Sequence, residues 1–465
     1  MNVDNNEQGI SGKLGQLTVP SKLGVKTSLG SVTALLDRLN HPENAFHSIH
    51  VGGTSGKSST SNFLANILRE AGYKVGLFTK PHLQSVRERF VINQKPISPE
   101  EILALLDRMP SGLEEIPTWF EMMVALAFQY FADQQVDLGV IEVGLGGTHD
   151  ATNVIMPELS VLTNIGLDHT EVLGDTIEKI ATDKVGIIKP GRPVVSGFIQ
   201  RSVINIIKKQ SARLGSPLKL LGRDFRYSLV EMKTDGSVFD FEMDEQAIRD
   251  ITLMMVGKHQ VMNASVALAA ALQLREIGYT IPISAIRDGL ACTHVAGRME
   301  ILQEFPNIIL DGAHSPPKME ALSTGLRTLY SSKERVIGVL SFSTGHNSQE
   351  SLVSLAPLLN MAILTEFSAE TDYGSKRAQD PQEIALILSK LNPGVQIVVE
   401  PDPFNAIEMA QHEAKSNDLI CVTGSIFLVG QVRNFLTSVD GKHDFGLNLG
   451  FIPDRLPARS SPQIP

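Results

Sequence analysis

Short apolar runs bounded by glycine, proline or asparagine recur along this chain, between longer stretches whose apolar residues fall three or four positions apart. The first pattern is that of strands buried on both faces, the second that of helices with one apolar stripe. The clearest runs in the first part are "SIHVGG" from Ser48, "DLGVIEVGLGG" from Asp137, "LSVLTNIG" from Leu159 and "PVVSGF" from Pro193. A second series comprises "NIILDGAH" from Asn307, "RVIGVLSF" from Arg335, "MAILTEF" from Met361, "QIVVE" from Gln396 and "DLICVTGS" from Asp418. Helical spacing marks residues 59–72, 99–108, 119–133, 259–277 and 404–414. This alternation predicts an α/β protein with parallel sheets. Residues 218–256 break the rhythm: "FRYSLVEMKTDGSVFDFEM" alternates polar and apolar positions around Asp235-Gly236, which predicts a small antiparallel β insertion closing the first unit. The second strand series starts just after "THVAGRMEIL" at 293–302, so a boundary between two units is expected there. Residues 1–28 read as a flexible polar leader, and 441–465, with four prolines and few apolar clusters, as a disordered tail.

A chain of 465 residues exceeds what one ordinary core supports, in keeping with two units. No apolar run reaches the roughly 18–20 residues of a membrane span, and the N-terminal stretch lacks the regions of a secretory signal. Cys292 and Cys421 are far apart in sequence, so two buried thiols in a reducing cytoplasm are expected rather than a disulfide or cysteine-rich metal site. A net charge of −10 argues against a nucleic-acid partner and gives no sign of a membrane partner. An anionic ligand must therefore find its positive charge locally, from loop amides, helix N-termini and a few placed cations.

Such a place is "GGTSGKSS", which puts Gly53, Thr54, Ser55, Gly56, Lys57, Ser58 and Ser59 between a strand and a helix. Glycines let backbone N–H groups turn inward onto phosphate oxygens, the lysine reaches the terminal phosphates, and a hydroxyl directly after it can ligate Mg²⁺. Two residues separate Gly53 from Gly56 where the common P-loop has four, and a plain helix cap is the alternative. In "VIEVGLGGTHDATN", Glu142 ends a buried strand, where a carboxylate is costly unless it meets a cation such as Mg²⁺ or is bonded to loop amides. Asp168 and His169 end the next strand, at the carboxyl edge where ligands of open α/β sheets collect. Lys184 lies in a helical stretch, where lysines are ordinarily solvated.

Taken together, these stretches resemble the folylpolyglutamate synthase/dihydrofolate synthase family of the Mur ligase superfamily, over roughly residues 30–435. The resemblance is carried by "HVGGTSGKSST", "GYKVGLFTKPHLQSVRERF", "PTWFEMMVALAF", "IEVGLGGTHDATN", "TNIGLDHTEVLGDTIEKIATDKVGIIKPG", "GKHQVMNASVALAA", "GRME", "LDGAHSPPKMEAL" and "VTGSIFLVGQVR", in family order. It implies a Mur-ligase-like P-loop ATPase and substrate domain with a parallel central sheet at 29–296, and a smaller Rossmann-like C-terminal α/β domain at 297–440. It also implies a monomeric ATP-dependent ligase that uses Mg²⁺. In that activity a folate or pteroate carboxylate takes the γ-phosphate of ATP, and the amine of L-glutamate then displaces phosphate. By the same resemblance Lys57, Glu142, His169 and Lys184 are catalytic, and Ser59, Glu142, His169 and a carbamylated Lys184 are metal ligands. Gly53 to Ser59, Asn263, Arg298, Asp311 and His314 would hold ATP. Thr118, Phe120, Glu121, His149 and Asp150 would face the pterin substrate. Closure of two domains over one nucleotide would keep water from the acyl phosphate.

The chain departs from the family at several of these places. Lys80 in "FTKPHL" stands where the family has a metal-ligating serine, and a protonated ammonium cannot ligate a metal. Thr148 replaces an arginine, Ser315 an asparagine, and "GVLSFSTGHNS" lacks the family's "DKD". A Mur-type ligase for another carboxylate or amine, and an inactive nucleotide-binding paralogue, are the alternative readings.

Overall fold

The computed structural model describes residues 3–19, 28–304, 306–330, 335–371 and 374–439. Its first unit is built on an eight-stranded sheet of β1 (His47–Gly52), β2 (Val75–Phe78), β3 (Val91–Ile92), β4 (Lys95–Pro96), β5 (Leu138–Glu142), β6 (Leu159–Leu162), β7 (Val194–Ser196) and β8 (Leu218–Leu220), ordered β4-β3-β2-β5-β1-β6-β7-β8. All neighbours are parallel except β2-β3 and β3-β4 at one edge. Burial of every residue of β5 and all but the first of β1 explains their unbroken apolar runs. Because β5 and β6 flank β1, the loops leaving their carboxyl ends meet at one crevice.

Helices cover both faces: α1 (Val3–Leu17), α2 (Gly30–Arg38), α3 (Lys57–Glu70), α4 (Pro99–Arg108), α5 (Trp119–Asp133), α6 (Thr170–Leu173), α7 (Ile177–Lys184), α8 (Arg201–Leu214), α9 (Lys258–Glu276) and α10 (Ile283–Ala291). The alanine-rich α9 is buried along most of its length, packed between α3 and a separate antiparallel sheet of β9 (Phe225–Lys233), β10 (Gly236–Met243) and β11 (Gln246–Leu253). Phe239, Phe241 and Met243 of β10 face inward at alternate positions and join the main core. The expected β insertion is thus three strands over 225–253, while residues 218–220 complete the parallel sheet.

The second unit holds β12 (Glu300–Glu304), β13 (Asn307–Leu310), β14 (Val336–Leu340), β15 (Met361–Leu364), β18 (Gln396–Val399) and β19 (Leu419–Thr423) in the order β12-β13-β19-β14-β15-β18. Only β12 runs antiparallel to its neighbour in that sheet. A short hairpin, β16 (Ser368–Thr371) and β17 (Gly374–Arg377), stands apart. Its helices are α11 (Pro316–Leu329), α12 (Ser348–Leu352), α13 (Pro381–Leu391), α14 (Pro403–Glu413) and α15 (Ile426–Val439).

Residues 80–89 bridge the units. Leu83 packs into the second unit's core, and its carbonyl lies so close to Gly430 that a Cβ there would sit 2.0 Å from it. Arg433 of α15 donates to the Gln84 side chain at 2.8 Å and is ion-paired with buried Glu300.

Three expectations need correcting. The supposed flexible leader contains α1, because Ile10 and Leu14, one helical turn apart, are buried against the first unit and Lys13 pairs with Asp107. Cys292 is exposed just past α10, whereas Cys421 is buried in β19. Strand β6 ends at Leu162, so Asp168 and His169 lie on the loop beyond it. The expected disordered tail at 441–465 falls outside the described residues. No helix among the described residues is long and apolar enough to cross a membrane.

Candidate active site

The loop after β1 turns through Gly53 at φ +138° and Gly56 at φ +79°, conformations that disfavour a side chain. Space is equally restrictive: a Cβ on Gly53 would lie 2.0 Å from the Thr163 hydroxyl, and one on Gly56 2.2 Å from Asn263 Oδ1. Asn164, two residues beyond β6, fixes the loop, its carbonyl accepting from Thr54 N at 3.0 Å and its side chain from Ser55 N at 2.8 Å. Lys57 begins α3 and folds back, donating to the carbonyls of Gly53 at 3.1 Å and Thr54 at 3.2 Å. Its ammonium thus sits over the loop, where an incoming phosphate would draw it.

Glu142, at the end of β5, is 2% exposed. Its Oε1 accepts from the Ser58 hydroxyl at 3.0 Å and its Oε2 from the backbone N–H of Lys80 at 3.2 Å. Ser58 also reaches the Lys80 carbonyl at 3.2 Å, so carboxylate, hydroxyl and Lys80 backbone form one closed set. Burial pushes Glu142 above the usual carboxylate range and Lys57 below the usual lysine range, and each is the other's largest electrostatic counterweight. Ser59, the expected metal ligand, is buried one residue further along α3. The Lys80 side chain lies over the Phe120 ring, 5.6 Å from its centroid.

His169 caps α6 with φ +49° and remains 40% exposed, near Asp168 at 3.9 Å and Glu171 at 3.7 Å. Burial, opposed by Asp168 and assisted by Lys80 and Lys57, keeps it below the ordinary histidine value. For Asp168, burial acts upward, but His169, Lys318, Lys57 and His314 together hold the carboxyl below its ordinary value. Lys184, at the end of α7, is 5% exposed, and no hydrogen bond or ion pair holds its ammonium among the described residues. Burial first, and Lys57 second, lower it from 10.5 to about 7.

From the second unit, Asp311 is buried beyond β13 and caps the turn, accepting from Met299 N at 2.9 Å and Ala313 N at 2.8 Å. Arg298 donates to Gly297 O at 3.0 Å and is the strongest cation acting on Asp311. His314 Nδ1 meets Gly312 O at 2.8 Å, and its Nε2 lies 3.0 Å from Lys318 Nζ. Burial and Lys318 lower His314 to about 3. The His346 ring stands edge-on to it at 5.4 Å. Asn263 of α9 packs over Gly56 and donates to Gln260 at 3.1 Å. The crevice therefore gathers Lys57, Lys184, Arg298 and Lys318 around a few buried carboxylates, an arrangement suited to a polyanion. Lys318 and His346 were not singled out in the sequence, since a helical lysine and a loop histidine carry no local signal; for Lys318 alone, proximity to "DGAH" was an available clue.

The expected pterin-side residues divide. Phe120 approaches the site, lying against Gly144, where an added Cβ would sit 2.4 Å from the ring, and against Phe78. Thr118 and Glu121 instead form the capping box of α5, and Glu121 also accepts from Ser31. Asp150 is buried and holds its own loop by accepting from Leu145 N at 2.7 Å and Thr152 N at 3.0 Å. His149 is exposed and, with Thr148, Glu178, Lys179, Thr182 and Asp183, lines a cavity of about 460 Å³. Among the described residues no three His, Cys, Asp or Glu side chains come together as a metal-ligand set.

Two family models match the chain: the Mur ligase middle domain over residues 51–271, and the Mur ligase, glutamate ligase domain over residues 297–426. The chain is 34% identical over 424 residues to the dihydrofolate synthase/folylpolyglutamate synthase of Bacillus subtilis, covering 89% of this chain and 96% of that one. It is 32% identical over 415 residues to the folylpolyglutamate synthase of Lacticaseibacillus casei, covering 87% and 93%. Among solved structures, a folylpolyglutamate synthase from Thermotoga maritima superposes with a TM-score of 0.80 at 31% identity, covering 94% of this chain and 98% of that one. The FolC protein of E. coli in complex with DHPP and ADP superposes with a TM-score of 0.81 at 26% identity, covering 93% and 98%.

Proposed function

The chain belongs to the folylpolyglutamate synthase/dihydrofolate synthase family of Mur ligases, and from that premise we propose that it is an ATP-dependent ligase joining L-glutamate to a folate or pteroate. The observation that carries this reading is the meeting of the P-loop lysine, Lys57, with buried Glu142 in a crevice that Arg298 and Lys318 enter from the other unit. The division into lobes 29–296 and 297–440 is part of the same proposal and is supported by their separate sheets.

Hydroxide is a poor leaving group and phosphate a good one, which is why ATP is needed. The substrate carboxylate attacks the γ-phosphorus, the bond to the bridging oxygen breaks, and ADP departs. The free amine of glutamate then attacks the acyl carbon, phosphate leaves with the bonding pair, and the amine proton passes to solvent or to a nearby base. Little covalent work falls to the protein, so positioning and charge stabilisation dominate. The amides of Gly53 to Ser59 would cradle the phosphates and Lys57 would swing from its present carbonyl partners onto them. Glu142 and Ser58 are hard oxygen donors that suit Mg²⁺, which usually takes one or two protein ligands and fills the rest from phosphate and water. When bound, Mg²⁺ supplies charge neutralisation at the transferring phosphoryl group. On the family resemblance, His169 and a carbamylated Lys184 would be further ligands. Phe120, under Lys80, would pack against the ring system of the acid.

The test is phosphate release by purified protein given ATP, Mg²⁺, glutamate and either dihydropteroate or tetrahydrofolate. Release that requires both organic substrates is expected. A protein that binds ATP yet releases phosphate with neither acid would refute folate ligation, and a wider carboxylate panel would then separate another acid from an inactive nucleotide binder.

A further inference from the structure

Lys318 has no carboxylate hydrogen-bonded to its ammonium among the described residues. It stands in the first turn of α11, where the helix dipole disfavours a cation. Arg298 and Lys57 act on it as further like charges. Asp168 is the strongest charge acting on it and Asp311 a weaker favourable one, but neither hydrogen-bonds the ammonium: Asp311 holds the amides of Met299 and Ala313, and Asp168 the amide of His169 at 3.1 Å. Its position is nevertheless well defined. The Gly312 carbonyl can only accept, so His314 Nδ1 carries the hydrogen and Nε2 presents a lone pair to the Lys318 ammonium at 3.0 Å. Among the described residues this is the one hydrogen bond of that ammonium, which leaves two of its N–H donors for a ligand.

We propose that Lys318 is the second lobe's direct contact with the γ-phosphate of the nucleotide, held on target by His314 as a positioning residue opposite Lys57. This rests on the ligase reading above. A polyanion resolves the conflict of charges, and a P-loop lysine reaches the terminal phosphates rather than the first one. A cation from the other lobe, near enough to act on Lys57, would therefore meet the same end of the triphosphate. Its lowered value, about 8, leaves the ammonium protonated at neutral pH and weakly solvated, so little hydration is lost when phosphate arrives.

The experiment compares calorimetric binding of ADP and of the non-hydrolysable ATP analogue AMPPCP, with Mg²⁺, to wild type, Lys318→Met and Lys318→Arg. Lys318→Met is expected to weaken AMPPCP by about tenfold or more, the range for a charged hydrogen bond, while ADP stays within about twofold. Lys318→Arg should recover most of the AMPPCP affinity. Equal loss for both nucleotides, no loss for either, or an arginine variant no better than methionine would overturn the proposal. Lys318→Gln repeats the comparison if the methionine variant does not fold. Turnover of the wild type with folate and glutamate is scored separately. An active wild type whose Lys318→Met variant keeps its AMPPCP preference sinks the inference and spares the ligase. A wild type inert with every folate sinks the ligase reading, while the binding ratio still decides Lys318.

Discussion

Removing dissolved carbon dioxide is expected to silence this enzyme, and the reason lies in Lys184. A lysine at its ordinary value of 10.5 is neutral in roughly one molecule in 3,000 at pH 7, whereas at about 7 half the molecules carry the free amine. Burial thus raises the reactive population about a thousandfold, and the same displacement corresponds to roughly 5 kcal/mol against the ammonium form. By the proposed carbamylation the free amine would attack carbon dioxide, forming a C–N bond and losing one proton, and the side chain would then carry a carboxylate suited to Mg²⁺. The amine is lost as pH falls through about 7, so activation should fade on the acid side. The assay is initial rate in rigorously decarbonated buffer, before and after bicarbonate, together with carbon-13 NMR of protein incubated with labelled bicarbonate. A carbamate signal absent from Lys184→Arg, and a rate restored by bicarbonate, are expected. Full turnover without carbon dioxide and without the signal refutes the reasoning. The stability corollary has a definite sign. The unfolded chain binds the extra proton between about pH 7 and 10.5, so stability from this group rises with pH across that window, and Lys184→Met should melt higher at pH 7 while losing activity.

Gly56→Ala combines left-handed strain of about 1–2 kcal/mol with a forced displacement of Asn263, so nucleotide affinity measured by calorimetry should fall at least tenfold with only a modest drop in melting temperature. Unchanged affinity would show that the loop tolerates a Cβ. Lys80→Ser removes a cation from beside Glu142, and the Mg²⁺ concentration giving half the maximal rate is expected to fall; an identical Mg²⁺ titration would mean that the Lys80 ammonium does not act on the metal site. Arg433→Met strands buried Glu300 and should cost about 3–5 kcal/mol in denaturant unfolding. A loss below about 1 kcal/mol would place that pair among those that contribute little.

The strand and helix series was legible because strands covered on both faces, like β1 and β5, admit few polar residues, and because Gly53 and Gly56 are required by backbone angle and by space. The helix α1 was hidden because one narrow stripe, Ile10 and Leu14, sits in an otherwise polar stretch whose docking surface is made by distant residues. Glu121 reads like a ligand group in "TWFE", but the same Thr-x-x-Glu spacing is a capping box, and in this fold the carboxylate is used that way. His346 could not be found from spacing, since its meaning arises only when the loop after β14 is folded onto the "DGAH" turn, whereas Lys318, four residues past His314, offered only the weak clue of proximity.

One short length of chain, from Lys80 to Gln84, touches the phosphate machinery at one end and α15 at the other. Any shift of α15 at Arg433 would be passed along this segment to the peptide that steadies Ser58 and Glu142. The two ends are therefore mechanically coupled: the order of the P-loop hydroxyl and the seating of α15 rest on the same five residues.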